Sequence, residues 1–241
     1  MPTMDFEVYL PTEVDAETRR AALAELASWE ERAGIAMAVV MPAPTPRPDN
    51  RALLETLAGD PRWVPCCQVN PQHDDAVAQV RAAAAAGCRM LKLMPTIYNA
   101  PPTSAIARAL IDVARETGMI VNIHSVGNNS HPLEIGAVAH RYPDVTFIMD
   151  HMGYRTEGYT AILAAQDNPN LYLGTTIAAV EPSFVATAIA EVGAERIIFG
   201  SNYPNVYPDL MVESLRRAKF GQEIEEMILG GNLSRLLGIA G

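Results

Sequence analysis

The sequence predicts a (β/α)8 barrel of the TIM type that forms a single domain over residues 1–241. Short apolar runs alternate from end to end with longer, alanine-rich stretches of helical period, and eight such pairs fit within this length. No linker, charge block or shift in composition divides the chain. A doubly wound open sheet is the alternative, but no glycine-rich phosphate turn follows the first predicted strand.

The apolar runs are the predicted strands. Most of them carry valine, isoleucine and other apolar residues on both faces, as expected for parallel strands that are covered on both sides. In chain order they are Asp5–Leu10, Ile35–Met41, Trp63–Asn70, Arg89–Met94, Met119–Ser125, Val145–His151, Leu171–Thr176 and Arg196–Ser201.

Helical periodicity fills the segments between the strands. A glycine follows several of these segments. Helices often end in a residue of left-handed conformation, which glycine adopts more easily than other residues. The predicted helices are Asp15–Ala33, Asn50–Leu57, Asp74–Ala86, Ser104–Thr117, Pro132–Arg141, Tyr159–Gln166, Pro182–Val192 and Asp209–Lys219, then the shorter segments Gln222–Leu229 and Leu233–Leu237.

Composition narrows the class of protein. The net charge of −10 argues against a nucleic-acid partner, which needs a basic surface. No apolar run is long enough to span a membrane, and the first residues lack the pattern of a signal peptide. The three cysteines have no metal-binding spacing. We therefore expect a cytoplasmic protein with reduced thiols and a small-molecule substrate.

Polar side chains interrupt the apolar strands near their carboxyl ends. In a barrel these ends surround the mouth, where catalytic groups gather. Glu7 and Tyr9 are two residues apart and so share a face, as do Asn122 and His124. The polar residues at these ends are Glu7, Tyr9, Gln68, Asn70, Lys92, Asn122, His124, Asp150, His151, Thr175, Thr176, Ser201 and Asn202.

Each of the main candidates also has a structural interpretation. His124 fits a hydrogen-bonded core histidine, and His151 fits a turn histidine that its neighbours orient. Lys92 is a cation inside an apolar strand, and burying it is costly without a partner. A structural ion pair with Glu7 or Asp150 is therefore the alternative to a catalytic role for Lys92.

Two further candidates lie in loops after the strands. Tyr98 follows the fourth predicted strand, and His131 lies after the fifth strand, just before Pro132 at a helix start. We predict that both can reach a substrate at the mouth. His73 and His140 lie at helix ends, where a structural role is the simpler interpretation.

Several segments in order resemble the amidohydrolase-related family, in the branch that holds aminocarboxymuconate-semialdehyde decarboxylase, resorcylate-type decarboxylases and dicarboxylate lactonases. The similarity runs through nearly the whole chain. Its segments are Glu31–Ile35, Leu91–Pro95, Val121–Ser125, Arg141–Val145, Asp150–Gly153, Val192–Ser201 and Gly231–Gly238.

The resemblance implies a site at the barrel mouth and, in the usual member, a divalent metal that activates water. Two histidines of the first strand, one of the fifth and an aspartate of the eighth hold that metal, and this aspartate or a histidine of the sixth strand moves protons. In this chain the first-strand positions are Glu7 and Tyr9, the fifth-strand position is His124, and the sixth-strand position is His151. The eighth-strand position is Asn202.

The substitutions weaken the implied metal site. A tight zinc site needs three or four imidazole, thiolate or carboxylate ligands. Glu7 and His124 remain as ligands at these positions, with His151 as a possible further ligand, because Asn202 offers only a neutral oxygen. We therefore predict no tightly bound metal cofactor, with a labile zinc or manganese ion at Glu7 and His124 as the alternative.

We predict an enzyme that acts on a small cyclic or aromatic carboxylate, lactone or amide by acid–base chemistry. His124 and His151 would exchange protons, Lys92 would polarise an anionic or carbonyl group, and Glu7 would tune or replace the missing base. Tyr9, Asn122, Asn202, Tyr98 and His131 would bind the substrate. Hydrolysis is the first predicted reaction type, and lyase or isomerase chemistry is the second. A non-catalytic binding protein is the alternative from another class of protein. The resemblance also implies a possible homodimer.

Overall fold

The computed structural model describes residues 1–154 and 156–239, and in this part of the chain eight parallel strands follow one another around a barrel. The sequential order β1 to β8 confirms the predicted fold class and excludes the doubly wound sheet. The strands are β1 Met4–Leu10, β2 Met37–Pro42, β3 Trp63–Gln68, β4 Met90–Leu93, β5 Ile120–Ile123, β6 Phe147–Met149, β7 Leu171–Gly174 and β8 Ile197–Ile198.

Backbone hydrogen bonds bring the two ends of the sheet together. The N–H of Phe6 donates to the carbonyl of Phe199 at 3.1 Å, and the N–H of Tyr9 donates to that of Tyr203 at 2.8 Å. Between them, the N–H of Asn202 donates to the carbonyl of Glu7 at 3.0 Å. The segment that follows β8 therefore lies directly beside β1 at the mouth of the barrel.

Helices lie between the strands, and three of them have the predicted bounds. The helices are α1 Ala16–Ala33, α2 Asn50–Leu57, α3 Ala76–Ala85, α4 Pro95–Tyr98, α5 Ala105–Thr117, α6 Pro132–Arg141, α7 Gly158–Asp167, α8 Pro182–Val192, α9 Pro208–Arg217, α10 Gln222–Glu226 and α11 Asn232–Leu237. The sequence did not predict α4 or the helical turns Asp150–Gly153 and Thr176–Val180. The last two begin where the predicted strands β6 and β7 were expected to continue.

An apolar layer fills the barrel below the mouth. Phe6 is fully buried and packs with Met90, Ile120, Ile148 and Ile198. A Cβ atom added to Gly174 would lie 2.3 Å from the Phe6 ring, and one added to Gly200 would lie 2.5 Å from it. The ring of Phe6 therefore requires glycine on β7 and after β8, and it forms the floor of the mouth.

Polar residues form the next layer towards the mouth. Side chains two residues apart on a strand share a face, so the apolar layer is followed directly by a polar one. An irregularity in the β1–β2 pairing lies between Asp5 and Val8, where Phe6 and Glu7 both enter the interior. Four pairs of residues combine an apolar residue with a polar one two positions later. They are Cys66 and Gln68, Met90 and Lys92, Ile120 and Asn122, and Ile148 and Asp150.

The surface of the barrel shows no membrane-spanning element in the described residues. None of the helices there is both long and apolar enough to cross a bilayer. The three cysteines are free and buried.

Candidate active site

Lys92 lies at the centre of the polar layer. Its ammonium donates to Glu7 Oε2 at 2.7 Å and also to Asp150 Oδ2. All three side chains are fully buried. Both ion pairs that the sequence offered as alternatives for Lys92 are therefore present, one on each side of the same nitrogen.

Glu7 accepts three side-chain hydrogen bonds. Besides Lys92, the amide of Asn122 donates to Oε2 at 2.7 Å, and the hydroxyl of Tyr9 donates to Oε1 at 3.0 Å. The shared face that the spacing of Glu7 and Tyr9 predicted is thus observed. Strands β1, β4 and β5 all supply groups that hold this one carboxylate.

Asp150 is tied to the end of β5. The backbone N–H of Ser125 donates to its Oδ1 at 2.8 Å, and the Ser125 hydroxyl donates to its carbonyl. That hydroxyl also accepts from the N–H of Gly153 at 3.0 Å. These contacts fix the turn that carries Asp150 and His151 against the strand that leads to His124.

The two carboxyl groups respond differently to their surroundings. Burial raises the pKa of Glu7, and the charge of Asp150 raises it further, against the opposing effect of Lys92. Burial alone would raise the pKa of Asp150, but the neighbouring His151 and Lys92 outweigh burial and lower it. Glu7 is therefore the carboxyl group of the pair that takes up a proton first.

The ammonium of Lys92 keeps its charge despite burial. Burial alone would lower the pKa of Lys92, but the charges of Asp150 and Glu7 outweigh burial and raise it. The centre of the polar layer is thus a cation held between two carboxyl groups.

Two histidines lie above this network. The rings of His124 and His151 meet edge to face, with 4.9 Å between their centroids and 86° between their planes. Burial lowers the pKa of His124 to about 4, and the charge of Asp150 opposes this only in part. His124 is half-buried, so a neutral imidazole borders the mouth at neutral pH.

His151 is oriented by Thr176. The Thr176 hydroxyl accepts from the backbone N–H of His151 at 2.8 Å and lies 2.5 Å from its Nδ1. An arrangement in which this hydroxyl donates to Nδ1 places the ring proton on Nε2, which lies 3.7 Å from Asp150 Oδ2. Both residues have positive φ angles, 55° for His151 and 29° for Thr176, so the local backbone is strained to make this contact.

Asn202 follows β8 in a left-handed conformation with a φ of 68°. Asparagine tolerates this region better than most residues. Its Oδ1 accepts from the amide of Asn205 at 3.4 Å, and its backbone N–H donates to the backbone carbonyl of Glu7. The turn therefore lies beside Glu7, at the eighth-strand position that the family resemblance implies.

The donors at the implied metal positions do not fit a tightly held zinc ion. Burial and the charge of Glu7 raise the pKa of Tyr9 well above its usual value, so the phenol stays protonated and donates to Glu7. Asn202 offers a neutral amide, and the Lys92 ammonium already neutralises Glu7. A zinc site needs several anionic or imidazole donors free of such partners.

Two predicted substrate-binding residues have other partners. The hydroxyl of Tyr98 donates to the Thr45 carbonyl at 2.9 Å and accepts from the amide of Gln68 at 3.1 Å. His131 caps α6, where its Nδ1 accepts from the N–H of Leu133, and its Nε2 lies 3.3 Å from a Glu157 oxygen. The predicted residues Glu7, Tyr9, Lys92, Asn122, His124 and His151 form one cluster, in which Asp150 links Lys92 to His151.

The sequence interpretation did not assign a site role to three residues that hold the cluster together. Asp150 and Thr176 were among the polar residues at the predicted strand ends, but only Asp150 was given a further role, as a partner of Lys92. Asp5 was given no role. Asp5 accepts from the backbone N–H groups of Glu7 and Ser201, each at 3.0 Å, and so joins β1 to the turn after β8. The available signal was similar in each case, a polar residue within or next to an apolar strand.

The fold agrees with the comparison with protein families. The amidohydrolase family profile matches residues 11–239, and the chain belongs to this family. Among curated proteins, none matches the sequence significantly.

Solved structures share the fold over almost the whole chain. An uncharacterised TIM-barrel protein from Bordetella bronchiseptica has a TM-score of 0.85 at 19% identity and covers 99% of each chain. A proposed 2-pyrone-4,6-dicarboxylic acid hydrolase from Pseudomonas putida has a TM-score of 0.79 at 18% identity, covering 100% of this chain and 98% of its own. The 5-carboxyvanillate decarboxylase from Sphingomonas paucimobilis has a TM-score of 0.76 at 13% identity, covering 99% of each.

Proposed function

We propose that the protein is a hydrolase of small cyclic or aromatic carboxylates with a lactone or ester bond, and that it works without a tightly bound metal. The observation that carries this proposal is the pair of imidazoles in edge-to-face contact above a buried cation–carboxylate network. Two imidazoles within reach of each other can remove a proton from water and supply one to a leaving group.

His124 is the proposed general base. Its pKa of about 4 leaves the ring neutral near pH 7, in the form that accepts a proton. As His124 takes the proton, the water oxygen attacks the carbonyl carbon of the substrate. Tyr9 and Asn202, at the edge of the mouth, are proposed to bind the substrate.

His151 is the proposed general acid. It would give its Nε2 proton to the leaving oxygen as the bond from the carbonyl carbon breaks, and it would receive in exchange the proton that His124 took from water. Both rings then end neutral, and one water has been added across the bond. Thr176 holds the backbone and ring of His151, so this proton donor has a fixed direction.

Lys92 is proposed to act through its neighbours rather than by direct contact with substrate. Its ammonium is buried between Glu7 and Asp150, and it holds both carboxyl groups in place. Glu7 is the group proposed to tune the site, because burial raises its pKa and makes it the carboxyl group of the pair that takes up a proton first.

Decarboxylation is the second candidate. A glutamate at the first metal position resembles the decarboxylase branch, and one structural neighbour is a 5-carboxyvanillate decarboxylase. A site that already holds a carboxylate-bearing ring needs only a proton donor to replace the lost carbon dioxide.

A single experiment separates the two reactions. Purified protein is incubated with 2-pyrone-4,6-dicarboxylate and with 5-carboxyvanillate in ¹⁸O-labelled water, and the products are analysed by mass spectrometry. Ring opening with one ¹⁸O in the product supports hydrolysis. A product lighter than the substrate by about 44 Da, the mass of one CO2, supports decarboxylation.

The control is a His140→Ala variant, since His140 is an exposed helix residue outside the cluster. This variant should convert the substrate at the rate of the native protein, whereas His124→Ala should form no product. Binding of either compound without any product would contradict the hydrolase proposal and favour a non-catalytic ligand-binding protein.

A further inference from the structure

The ammonium of Lys92 lies where a divalent cation would find ligands. Glu7, Asp150 and His151 each offer one ligand atom, these atoms all lie within 4.8 Å of one another, and all three residues are buried. Two carboxylates and one imidazole are a ligand set that suits Zn²⁺ or Mn²⁺. Lys92 bonds to the same two carboxyl groups.

A neutral oxygen with no partner lies beside this group. Asn122 is fully buried, and its Nδ2 donates to Glu7 Oε2 at 2.7 Å. Its Oδ1 has no hydrogen-bond partner among the described residues. A buried polar atom without a partner is costly, and the Lys92 ammonium does not supply one, so this oxygen is free to accept a contact from a cation.

Electrostatics explains why a cation is needed at this position. Two carboxyl groups that share a buried site repel each other unless a positive charge lies between them. Lys92 supplies one positive charge from β4, on a side chain that cannot dissociate. A divalent ion would supply two charges and accept the same oxygens as ligands.

We propose that Lys92 is a built-in replacement for a divalent metal ion, and that removing its ammonium opens a Mn²⁺ and Zn²⁺ site formed by Glu7, Asp150 and His151. This site differs from the one that the family resemblance implies, since only Glu7 is common to both. The inference goes beyond the proposed hydrolase activity, because it concerns which cation holds the two carboxyl groups.

The test is metal binding by a Lys92→Met variant, in which an apolar side chain of similar length fills the same space. Mn²⁺ is titrated into chelator-treated protein, and free Mn²⁺ is followed by electron paramagnetic resonance. The variant should bind one Mn²⁺ per chain on the order of 100-fold more tightly than the native protein, which keeps its ammonium.

A Lys92→Met/Glu7→Gln double variant is the matched control. It lacks the same lysine but also lacks one proposed ligand, so its Mn²⁺ affinity should fall back towards the native level. Equal binding by the single and double variants would place the ion elsewhere and overturn the proposal. Stoichiometric metal in the native protein would do the same.

The experiment also tests the proposal if the substitution at Lys92 destabilises the fold. Without the ammonium the two carboxyl groups repel, so Lys92→Met should be less stable than the native protein and should regain thermal stability when Mn²⁺ is added. The Lys92→Gln variant is carried in parallel. If neither variant binds Mn²⁺ or is stabilised by it, folded or not, the ammonium does not stand in for a metal.

These outcomes are separable from those of the proposed function. The readouts are metal content and thermal stability, and neither requires a substrate. A native protein that is active and metal-free, together with variants that bind no metal, would leave the hydrolase proposal intact and remove this inference alone.

Discussion

The rings of His124 and His151 meet edge to face, with their centroids 4.9 Å apart, although the two residues come from the ends of different strands. His124 follows β5 and His151 follows β6, and these strands are neighbours in the barrel. Asp150, beside His151, is held by the backbone of Ser125, beside His124. The contact between the rings is thus built into the adjoining turns.

Replacement of His124 by alanine should abolish turnover without loss of the fold. The ring is half-buried at the mouth, so its removal leaves the floor and the ion network in place. We expect kcat to fall by about 100-fold or more, the usual contribution of a general base. Steady-state kinetics and circular dichroism measure the two effects, with His140→Ala as control. A fully active His124→Ala variant would remove His124 from the mechanism.

The acid limb of the native pH–rate profile provides a second check on His124. Its pKa of about 4 means that the ring becomes protonated, and loses its capacity as a base, only when the pH falls towards that value. We expect kcat/KM to stay level from neutral pH to about 5 and then decline. An acid limb centred near the ordinary histidine pKa would contradict this assignment.

Thr176→Val tests the orientation of His151. Valine has nearly the same shape but cannot bond to the backbone N–H or the ring of His151. Leaving the buried N–H unpaired should cost about 1–3 kcal/mol of stability. Loss of ring orientation should lower kcat about 10- to 100-fold with little change in KM.

Thr187→Val is the matched control for this prediction, because the Thr187 hydroxyl donates to the Ser183 carbonyl on the surface of α8, away from the site. Urea denaturation and kinetics are measured for both variants. If Thr176→Val loses stability but keeps the native kcat, the Thr176 contact serves the fold and not the reaction.

The sequence predicted the barrel because its signal is repeated along the chain. Apolar runs that are covered on both faces need no knowledge of their partners to be recognised, and they appear at the predicted places. Strand ends were predicted less well. The residue types up to His151 and Thr176 fit a strand, so the sequence predicted that both strands extend that far. Both residues have positive φ angles, however, and turn the chain out of the sheet.

The cluster was predicted only in part for a related reason. Residue spacing places Glu7 with Tyr9 on a common face, and the hydrogen bond between them agrees. Spacing also places Asn122 with His124. Spacing does not say that one ammonium bonds to two carboxyl groups, since that depends on three strands at once. Nor does it show that the hydroxyl of Tyr98 is already bonded to a backbone carbonyl.

Gly174→Ala tests the packing of the floor below the site. The added Cβ would lie 2.3 Å from the fully buried ring of Phe6, so the ring or the strand must shift. Overpacking of this kind should cost about 1–3 kcal/mol or more. A Phe6→Leu/Gly174→Ala double variant should lose less stability than the two single changes predict together, because leucine leaves room for the methyl group. Additive losses in urea denaturation would show that the ring does not constrain this glycine.

Glu30 on α1 sets a pH dependence of stability that lies outside the site. The side chain is only 3% exposed, and neither carboxyl oxygen has a hydrogen-bond partner among the described residues. Burial, with a further contribution from Asp5, raises the pKa of Glu30 well above its usual value. A raised pKa means that the folded state binds this proton more tightly than the unfolded state. The stability that Glu30 contributes is therefore complete below its ordinary pKa and is lost as the pH rises through the folded value.

Glu30→Gln should remove this dependence, because glutamine stays neutral at every pH. We expect the variant to gain stability over the native protein as the pH rises above the ordinary glutamate value, by up to about 1.4 kcal/mol per pH unit. Below that value the two proteins should keep a constant difference. Urea denaturation from pH 4 to 8 measures the effect, with Glu31→Gln as control, since Glu31 is an exposed neighbour whose ion pair with Arg62 contributes little. Parallel stability curves for the native protein and Glu30→Gln would show that Glu30 ionises in the folded state without penalty.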